Sequence, residues 1–175
     1  MSKSYAVKLS TITELVGLIA VILTLVFVGF ELRQNTRAVE SSATQEVHAN
    51  FSSWYASLQS DPELLAITVK GMQDYDSLTV TEKGQFIAVF MVFTSNCQTA
   101  FYKWREGLLD EELWNGWRQL SLNFFSTSGG NDFWSERSYM FGEGFRNFVD
   151  REIIPAQPNP KAKPWGAYSI GADTE

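Results

Sequence analysis

The segment LVGLIAVILTLVFVGFELRQNTRAVE, residues 15–40, decides the fold of this chain. Its first sixteen residues, from Leu15 to Phe30, carry no charge, and Glu31 follows them directly. A helix over this run is roughly 24 Å long at 1.5 Å per residue, and about 30 Å long if residues 11–13 are included. Because the hydrocarbon core of a bilayer is about 30 Å thick, the run is long enough to span a membrane.

Three structures compete for such a run: a retained transmembrane helix, a cleaved signal peptide and the core helix of a soluble domain. A signal peptide shares the basic residues Lys3 and Lys8, but it also requires a small-residue cleavage site, and none follows Phe30. A core helix of a soluble protein normally has a polar face, whereas only Thr24 and glycines interrupt this run. The pattern therefore favours a retained single-pass transmembrane helix over residues 11–31, after an N-terminal tail of residues 1–10.

The composition is that of a folded chain, because 45% of its residues are hydrophobic and 14% are aromatic. A formal net charge of −6 argues against nucleic-acid binding, which needs clustered basic residues. Cys97 is the single cysteine and His48 the single histidine, so one chain forms neither a disulfide nor a zinc site of the usual kind. We predict no cofactor and no metal.

The remaining sequence predicts an all-α fold of four or five helices. Residues 32–59 lack glycine and proline, so the transmembrane helix is expected to continue through them as one helix of about 45 residues, roughly 70 Å long. A helical body is expected over residues 60–154 and an extended or disordered Pro-rich tail over residues 155–175.

Capping patterns and glycines give the expected helix boundaries within the body. A helix is expected to start at Ser60–Glu63, with Asp61 as alternative cap, and to end at Gly71 and the cluster of residues 74–77. A second helix is expected from Thr79 to about Glu106, stopped by Gly107, and a third, capped by Asp110, over residues 111–125. A loop is expected at residues 128–131, then a short helix at residues 132–141 and a final turn or two at residues 145–153.

Several groups of residues resemble catalytic or ligand-binding chemistry, and each has a structural interpretation that we prefer. The aromatic segment of residues 101–117 is more typical of packing between two helices than of a ligand box. The acidic cluster of residues 110–112 opens a helix, where negative charge is favoured. Glu46 and His48, two residues apart, lie on different helix faces. The glycine-rich segments at 128–130 and 142–144 follow no strand, so neither qualifies as a phosphate loop. We therefore predict no catalytic residue and no enzyme.

One pattern along the long helix indicates an assembly surface. Steps of three and four residues from Glu14 select only small, polar or β-branched side chains, whereas the largest apolar side chains fall elsewhere. Small residues let helices approach closely in lipid, and a threonine hydroxyl can hydrogen-bond across such an interface. This heptad row consists of Glu14, Gly17, Val21, Thr24, Val28, Glu31, Asn35, Ala38, Ser42, Gln45, Ala49 and Ser52, of which the first seven are the predicted oligomer face.

Two functions follow from the heptad row. In the first, copies of the chain, or the chain and another membrane protein, associate through it. In the second, several copies surround an axis and the row lines a cation-conducting pore, with Glu14 and Glu31 as carboxylate rings at its two ends. We expect the first, a homo-oligomeric assembly protein, and keep the pore as the alternative.

Four segments resemble a broad group of uncharacterised bacterial proteins that have one N-terminal transmembrane helix. They are ELRQNTRA at 31–38, DPEL at 61–64, AFYKWREGLLDEELW at 100–114 and FRNFVD at 145–150. The resemblance implies a bacterial inner-membrane setting with lipids as partners, and it implies no activity.

The basic residues at the two ends of the span favour opposite orientations. Lys3 and Lys8 favour a cytoplasmic N-terminus, whereas Arg33 and Arg37 favour a cytoplasmic body. We expect the cytoplasmic body.

Overall fold

The computed structural model describes residues 2–156, and side chains from residue 14 onward. Its helices are α1 Ser2–Ser60, α2 Pro62–Gln73, α3 Val80–Arg105, α4 Glu111–Phe125, α5 Ser128–Arg137 and α6 Glu143–Phe148, with a π-helical turn at Val149–Ile153 and 3₁₀ turns at Tyr75–Ser77 and Ser138–Met140. No described residue lies in a strand. The predicted all-α class is confirmed, as is the long N-terminal helix that continues into a helical body. The predicted tail lies outside the described residues beyond Ala156.

The chain divides into two compact units, Met1–Ser42 and Ala43–Glu175. In the first unit, all described residues from 14 to 42 are exposed. In the second unit, the end of α1 and helices α2 to α6 enclose an aromatic core. The fully buried aromatic side chains are Phe51, Phe86, Phe90, Phe93, Phe124, Phe125, Phe133 and Phe145.

One side of the C-terminal part of α1 packs into this core. Val47, Phe51, Trp54 and Leu58 recur at steps of four and three, and each is at most 3% exposed. The Trp54 indole Nε1 donates a hydrogen bond to the Val89 carbonyl at 3.1 Å, so its one polar group is satisfied inside the core.

The predicted caps set most helix boundaries. Asp61, the alternative cap, begins α2 by accepting from the Leu64 amide at 3.0 Å. Thr79 and Glu82 form the predicted capping box, in which each side chain accepts from the other's backbone amide. Asp110 begins α4 as expected, and Gly107 follows α3 with a φ of +73°, which favours glycine.

The predicted loop at residues 128–131 is wrong, because α5 begins at Ser128 and contains both glycines. The Thr127 hydroxyl caps it by accepting from the Gly130 amide at 3.0 Å. A Cβ on Gly129 would lie 2.1 Å from the carbonyl oxygen of Gly71, so glycine serves here for a close helix approach and not for a turn. Helix α2 continues past Gly71 to Gln73 and ends at the predicted cluster, whose first residue, Asp74, is its C-cap.

The final helices also differ from the expected ranges. Helix α5 ends at Arg137, not at Phe141, and a 3₁₀ turn follows it. Helix α6 begins at Glu143, two residues before the expected start, and the π-helical turn completes the segment at Ile153.

Candidate functional site

The apolar segment of α1 is uncovered within the protomer. Thirteen large apolar side chains between Leu15 and Leu32 are each at least 45% exposed. The most apolar 18-residue window has a mean hydropathy of 2.6 and contains no buried residue. Among the described residues, this is the one helix that is long and apolar enough to cross a membrane.

The predicted oligomer face lies on this segment, and all seven of its side chains are exposed. A Cβ built on Gly17 meets no atom within 4 Å, so nothing described in this chain occupies the space beside it. Further along the row, Val28, Glu31, Asn35 and Ala38 border one shallow recess on the helix surface. The backbone therefore presents the first part of the heptad row as one continuous face. Whether a second copy covers it stays a prediction.

Thr24 differs from the expectation in one respect. Its hydroxyl donates to the Ala20 carbonyl of the same helix at 2.8 Å. Thr36 does the same with the Leu32 carbonyl at 2.9 Å. Each hydroxyl hydrogen is thus satisfied within the helix, and the oxygen lone pairs remain to accept from a neighbour.

Most charged side chains that follow the apolar segment lie outside the heptad row. Arg33 and Glu40 occupy the heptad position opposite the row, and Arg37 also lies at an outer position, away from the row. Only Glu31 of the nearby charged residues belongs to the row. A second helix packed on this face would therefore meet mostly small or uncharged side chains.

In the second unit, the same row is exposed and the opposite side of α1 is buried. Gln45, Ala49 and Ser52 are exposed, whereas Val47 and Trp54, at the opposite heptad position, belong to the core. The core contacts of α1 thus leave the row uncovered here as well.

The candidate catalytic and metal-ligating residues have structural partners. Glu46 pairs with the Lys103 ammonium at 2.9 Å, and His48 lies edge-on against the Trp117 ring with centroids 5.6 Å apart. No group of three or more His, Cys, Asp or Glu side chains suited to a metal occurs among the described residues.

The acidic cluster of residues 110–112 also has structural contacts. Asp110 accepts from the Glu112 amide at 2.7 Å, and Glu111 accepts from the Trp104 indole at 2.7 Å. Two of the three carboxylates thus cap a helix or anchor an aromatic ring.

The buried thiol of Cys97 is not a reactive group. The Ser121 hydroxyl lies 3.2 Å from its sulfur, and burial raises the pKa of the thiol to about 12. Because the thiolate is the reactive form, this cysteine is inert at neutral pH.

A groove between α3 and α6 was missed by sequence reasoning. It has a volume of about 330 Å³. We call it the arginine groove, and its principal lining residues are Phe101, Trp104, Arg105, Asn147, Phe148 and Arg151. The sequence contains a hint in the glycines of segment 142–144, which follow no strand but let α6 approach α3. A Cβ on Gly142 would lie 2.6 Å from the Tyr102 hydroxyl oxygen.

Comparison of this chain with protein-family models, curated proteins and solved structures found no match.

Proposed function

We propose that this protein is a single-pass protein of a bacterial inner membrane that assembles as a homo-oligomer through the heptad row and has no catalytic activity of its own. The observation that carries the proposal is the complete exposure of residues 14–42 of α1, which combine a membrane-length apolar segment with one face of small and polar side chains. In this proposal lipids cover the apolar side chains, a second copy covers the row, and the helical body is the part available to further partners.

The energetics of insertion support the membrane part. Leu, Ile, Phe and Val each favour insertion by about 0.3–0.6 kcal/mol near the middle of a span. Since these values hold only near the middle of a span, the thirteen exposed side chains between Leu15 and Leu32 contribute at most roughly 4–8 kcal/mol. Because the Thr24 hydroxyl already donates within its helix, it adds little cost in hydrocarbon.

The shape and charge of the row support self-association. Apolar side chains gain nothing by leaving lipid for one another, so helices associate in membranes through close packing and polar contacts. Gly17 supplies the open space, and Thr24 and Asn35 supply acceptors and donors for such contacts. Arg33 and Arg37 lie outside the row, so parallel copies do not bring these arginines together, although they do bring Glu31 of one copy towards Glu31 of the other.

Disulfide cross-linking tests the proposed face. We expect Thr24→Cys and Asn35→Cys to give covalent dimers on mild oxidation in the membrane. The matched controls are Val26→Cys and Arg33→Cys, which lie opposite the row and are expected to stay monomeric. Cys97 is 1% exposed, so this native thiol is not expected to form cross-links in any variant. Equal cross-linking at all four positions, or at none, would contradict the face.

The cytoplasmic placement of the body is tested by thiol labelling. Ser41 is exposed on α1, beyond the apolar segment, so Ser41→Cys reports the side of the membrane on which that end lies. We expect a membrane-impermeant maleimide to label it only after the cells are opened. The parent protein, with Cys97 buried, is the unlabelled control. Labelling in intact spheroplasts would place the body outside.

The pore alternative rests on the same face and needs a separate measurement. If several copies enclosed an axis, Glu14 and Glu31 would attract cations at its two ends. Cation flux into liposomes that contain the parent protein, reduced in Glu31→Gln and unchanged in Glu40→Gln, would support the pore. If the protein is oligomeric and shows no flux, the pore alternative is wrong and the assembly function remains.

A further inference from the structure

We propose that the arginine groove binds a small anion, in which a phosphate or carboxylate group is joined to a flat apolar group. The groove belongs to the second unit and does not depend on the assembly proposed for α1. The groove combines two arginines, an aromatic floor and the space that one glycine leaves.

The groove holds two guanidinium groups that lack an ion-pair partner among the described residues. The described basic side chains that do form ion pairs are Lys70, Lys83, Lys103, Arg118 and Arg137. Arg105 and Arg151 are not among them, although acidic residues outnumber basic ones, 20 to 14. Since guanidinium binds carboxylate and phosphate groups through two parallel hydrogen bonds, a pair of them in one groove favours an anion.

One carboxylate also lies in the groove, and it has a partner. Glu152 Oε2 lies 4.0 Å from Arg118 Nη2, so its charge is shared with an arginine that does not line the groove. Arg105, Arg151 and Glu152 are the charged residues that line the groove, and together they carry one net positive charge, without Arg118. This balance is compatible with a ligand that carries one or two negative charges.

Three aromatic side chains, Phe101, Trp104 and Phe148, form the apolar floor of the groove. The rings of Phe101 and Phe148 stack with centroids 4.9 Å apart and an interplanar angle of 26°. Beside them Trp104 stacks on Trp114 at 4.9 Å and 12°, which fixes the indole that lines the groove. Phe101 and Phe148 are buried, whereas Trp104 is half-buried, so its indole is the ring on which a planar apolar group would stack.

The Arg105 guanidinium is held at the edge of this floor. Its central carbon lies 5.5 Å from the centroid of the Phe101 ring, a cation–π distance. A Cβ on Gly144 would lie 2.9 Å from Arg105 Nη1, so the absence of a side chain at Gly144 leaves room for the guanidinium in this position. The geometry thus places a donor group next to an aromatic surface.

The volume limits the size of the ligand. At about 330 Å³ the groove lies at the lower end of the range for small-molecule sites. One aromatic ring with one anionic substituent matches this size. Phenyl phosphate and benzoate are therefore suitable probes, and benzyl alcohol is a neutral control.

Calorimetric titration of the full-length protein in neutral detergent tests the site. We expect saturable binding of phenyl phosphate or benzoate and no measurable binding of benzyl alcohol. Arg105→Gln and Arg151→Gln are each expected to weaken binding by roughly ten- to a hundredfold, because each removes a charge-assisted contact. Gly144→Ala is expected to weaken it as well, through displacement of Arg105.

Arg146→Gln is the matched control, since Arg146 lies on the same helix but does not line the groove. Its affinity is expected to stay within about twofold of the parent protein, because a charge that does not contact the ligand is screened by ordinary salt. The absence of saturable binding by the parent protein, or an equal loss in Arg146→Gln, would overturn the proposal. Circular dichroism confirms that each variant is folded.

A second arm distinguishes a lipid headgroup from a soluble ligand. Full-length protein is placed in nanodiscs of phosphatidylcholine alone or with phosphatidate, and phenyl phosphate is titrated into each. Competition by phosphatidate that disappears in Arg105→Gln identifies the headgroup phosphate as the occupant. Equal affinity in both lipids identifies a soluble anion.

Discussion

Thr94 has the one buried side-chain polar atom without a hydrogen-bond partner among the described residues. Its residue is 0% exposed, and an unsatisfied buried hydroxyl costs about 1–3 kcal/mol. We therefore expect Thr94→Val, which keeps the shape and removes the hydroxyl, to raise the free energy of unfolding by about 1 kcal/mol or more. Urea unfolding of the detergent-solubilised protein measures this change.

Thr68 is the matched control for that substitution. It is equally buried, but its hydroxyl donates to the Leu64 carbonyl at 2.7 Å. Thr68→Val removes a satisfied group, so its gain is expected to be smaller than that of Thr94→Val, or negative. A Thr94→Val protein less stable than the parent would show that the hydroxyl has a partner.

Glu82 gives the capping box a dependence on pH. Its carboxylate accepts from the Thr79 amide at 2.7 Å and from the Lys70 ammonium at 3.0 Å, and these contacts lower its pKa from 4.5 to about 2. A carboxyl with a lowered pKa stabilises the fold above its unfolded pKa, and this contribution is lost as the pH falls through the folded pKa. We expect Glu82→Gln to reduce stability at pH 7 and to equal the parent protein below pH 2.

Thermal unfolding over a pH series from about 7 to below 2 measures that difference. Lys70→Gln is expected to cost less than Glu82→Gln, because the Thr79 amide is the larger cause of the lowered pKa. A Glu82→Gln deficit that persists unchanged below pH 2 would contradict the interpretation.

At the scale of elements, the contact between α2 and α5 depends on the glycine at position 129. A Cβ on Gly129 would lie 2.1 Å from the Gly71 carbonyl oxygen, and backbone must move to admit it. We expect Gly129→Ala to lower the free energy of unfolding by about 2 kcal/mol or more, as overpacking does in a filled core. Gly116, in the middle of α4, faces open space, so Gly116→Ala is expected to stabilise by about 0.5–1 kcal/mol. Chemical unfolding of both variants tests this, and equal effects of the two would contradict the close approach.

Helix boundaries were predictable where a local signal sets them. Asp110 and its apolar pattern gave the range of α4, because a cap acts on residues two or three positions away. The glycines at 129 and 130 were misread as a loop, because their use depends on the position of α2, which no local pattern encodes. The arginine groove was not predicted for the same reason, since Arg105 and Arg151 line one groove only after the helices pack together.

At the scale of the whole molecule, the two units differ in whether their apolar side chains are buried or exposed. In the second unit aromatic rings are buried against one another, and in the first unit a membrane-length run of apolar side chains faces outward. Large exposed apolar surfaces mark contact with lipid or with other proteins. The sequence predicted the long apolar helix of this segment, because length and hydropathy are local properties, whereas the proposed contact of the heptad row with a second copy involves more than one chain.

The number of copies in a native-like bilayer tests the central claim most directly. The full-length protein is extracted with its surrounding lipid into polymer-bounded nanodiscs, and the protein mass per disc is measured by native mass spectrometry. We predict two or more copies per disc. Thr24→Leu, which places a bulky side chain on the row, is expected to reduce this number, and Val26→Leu on the opposite side is expected to leave it unchanged. A parent protein that is monomeric over the whole accessible concentration range would contradict the account.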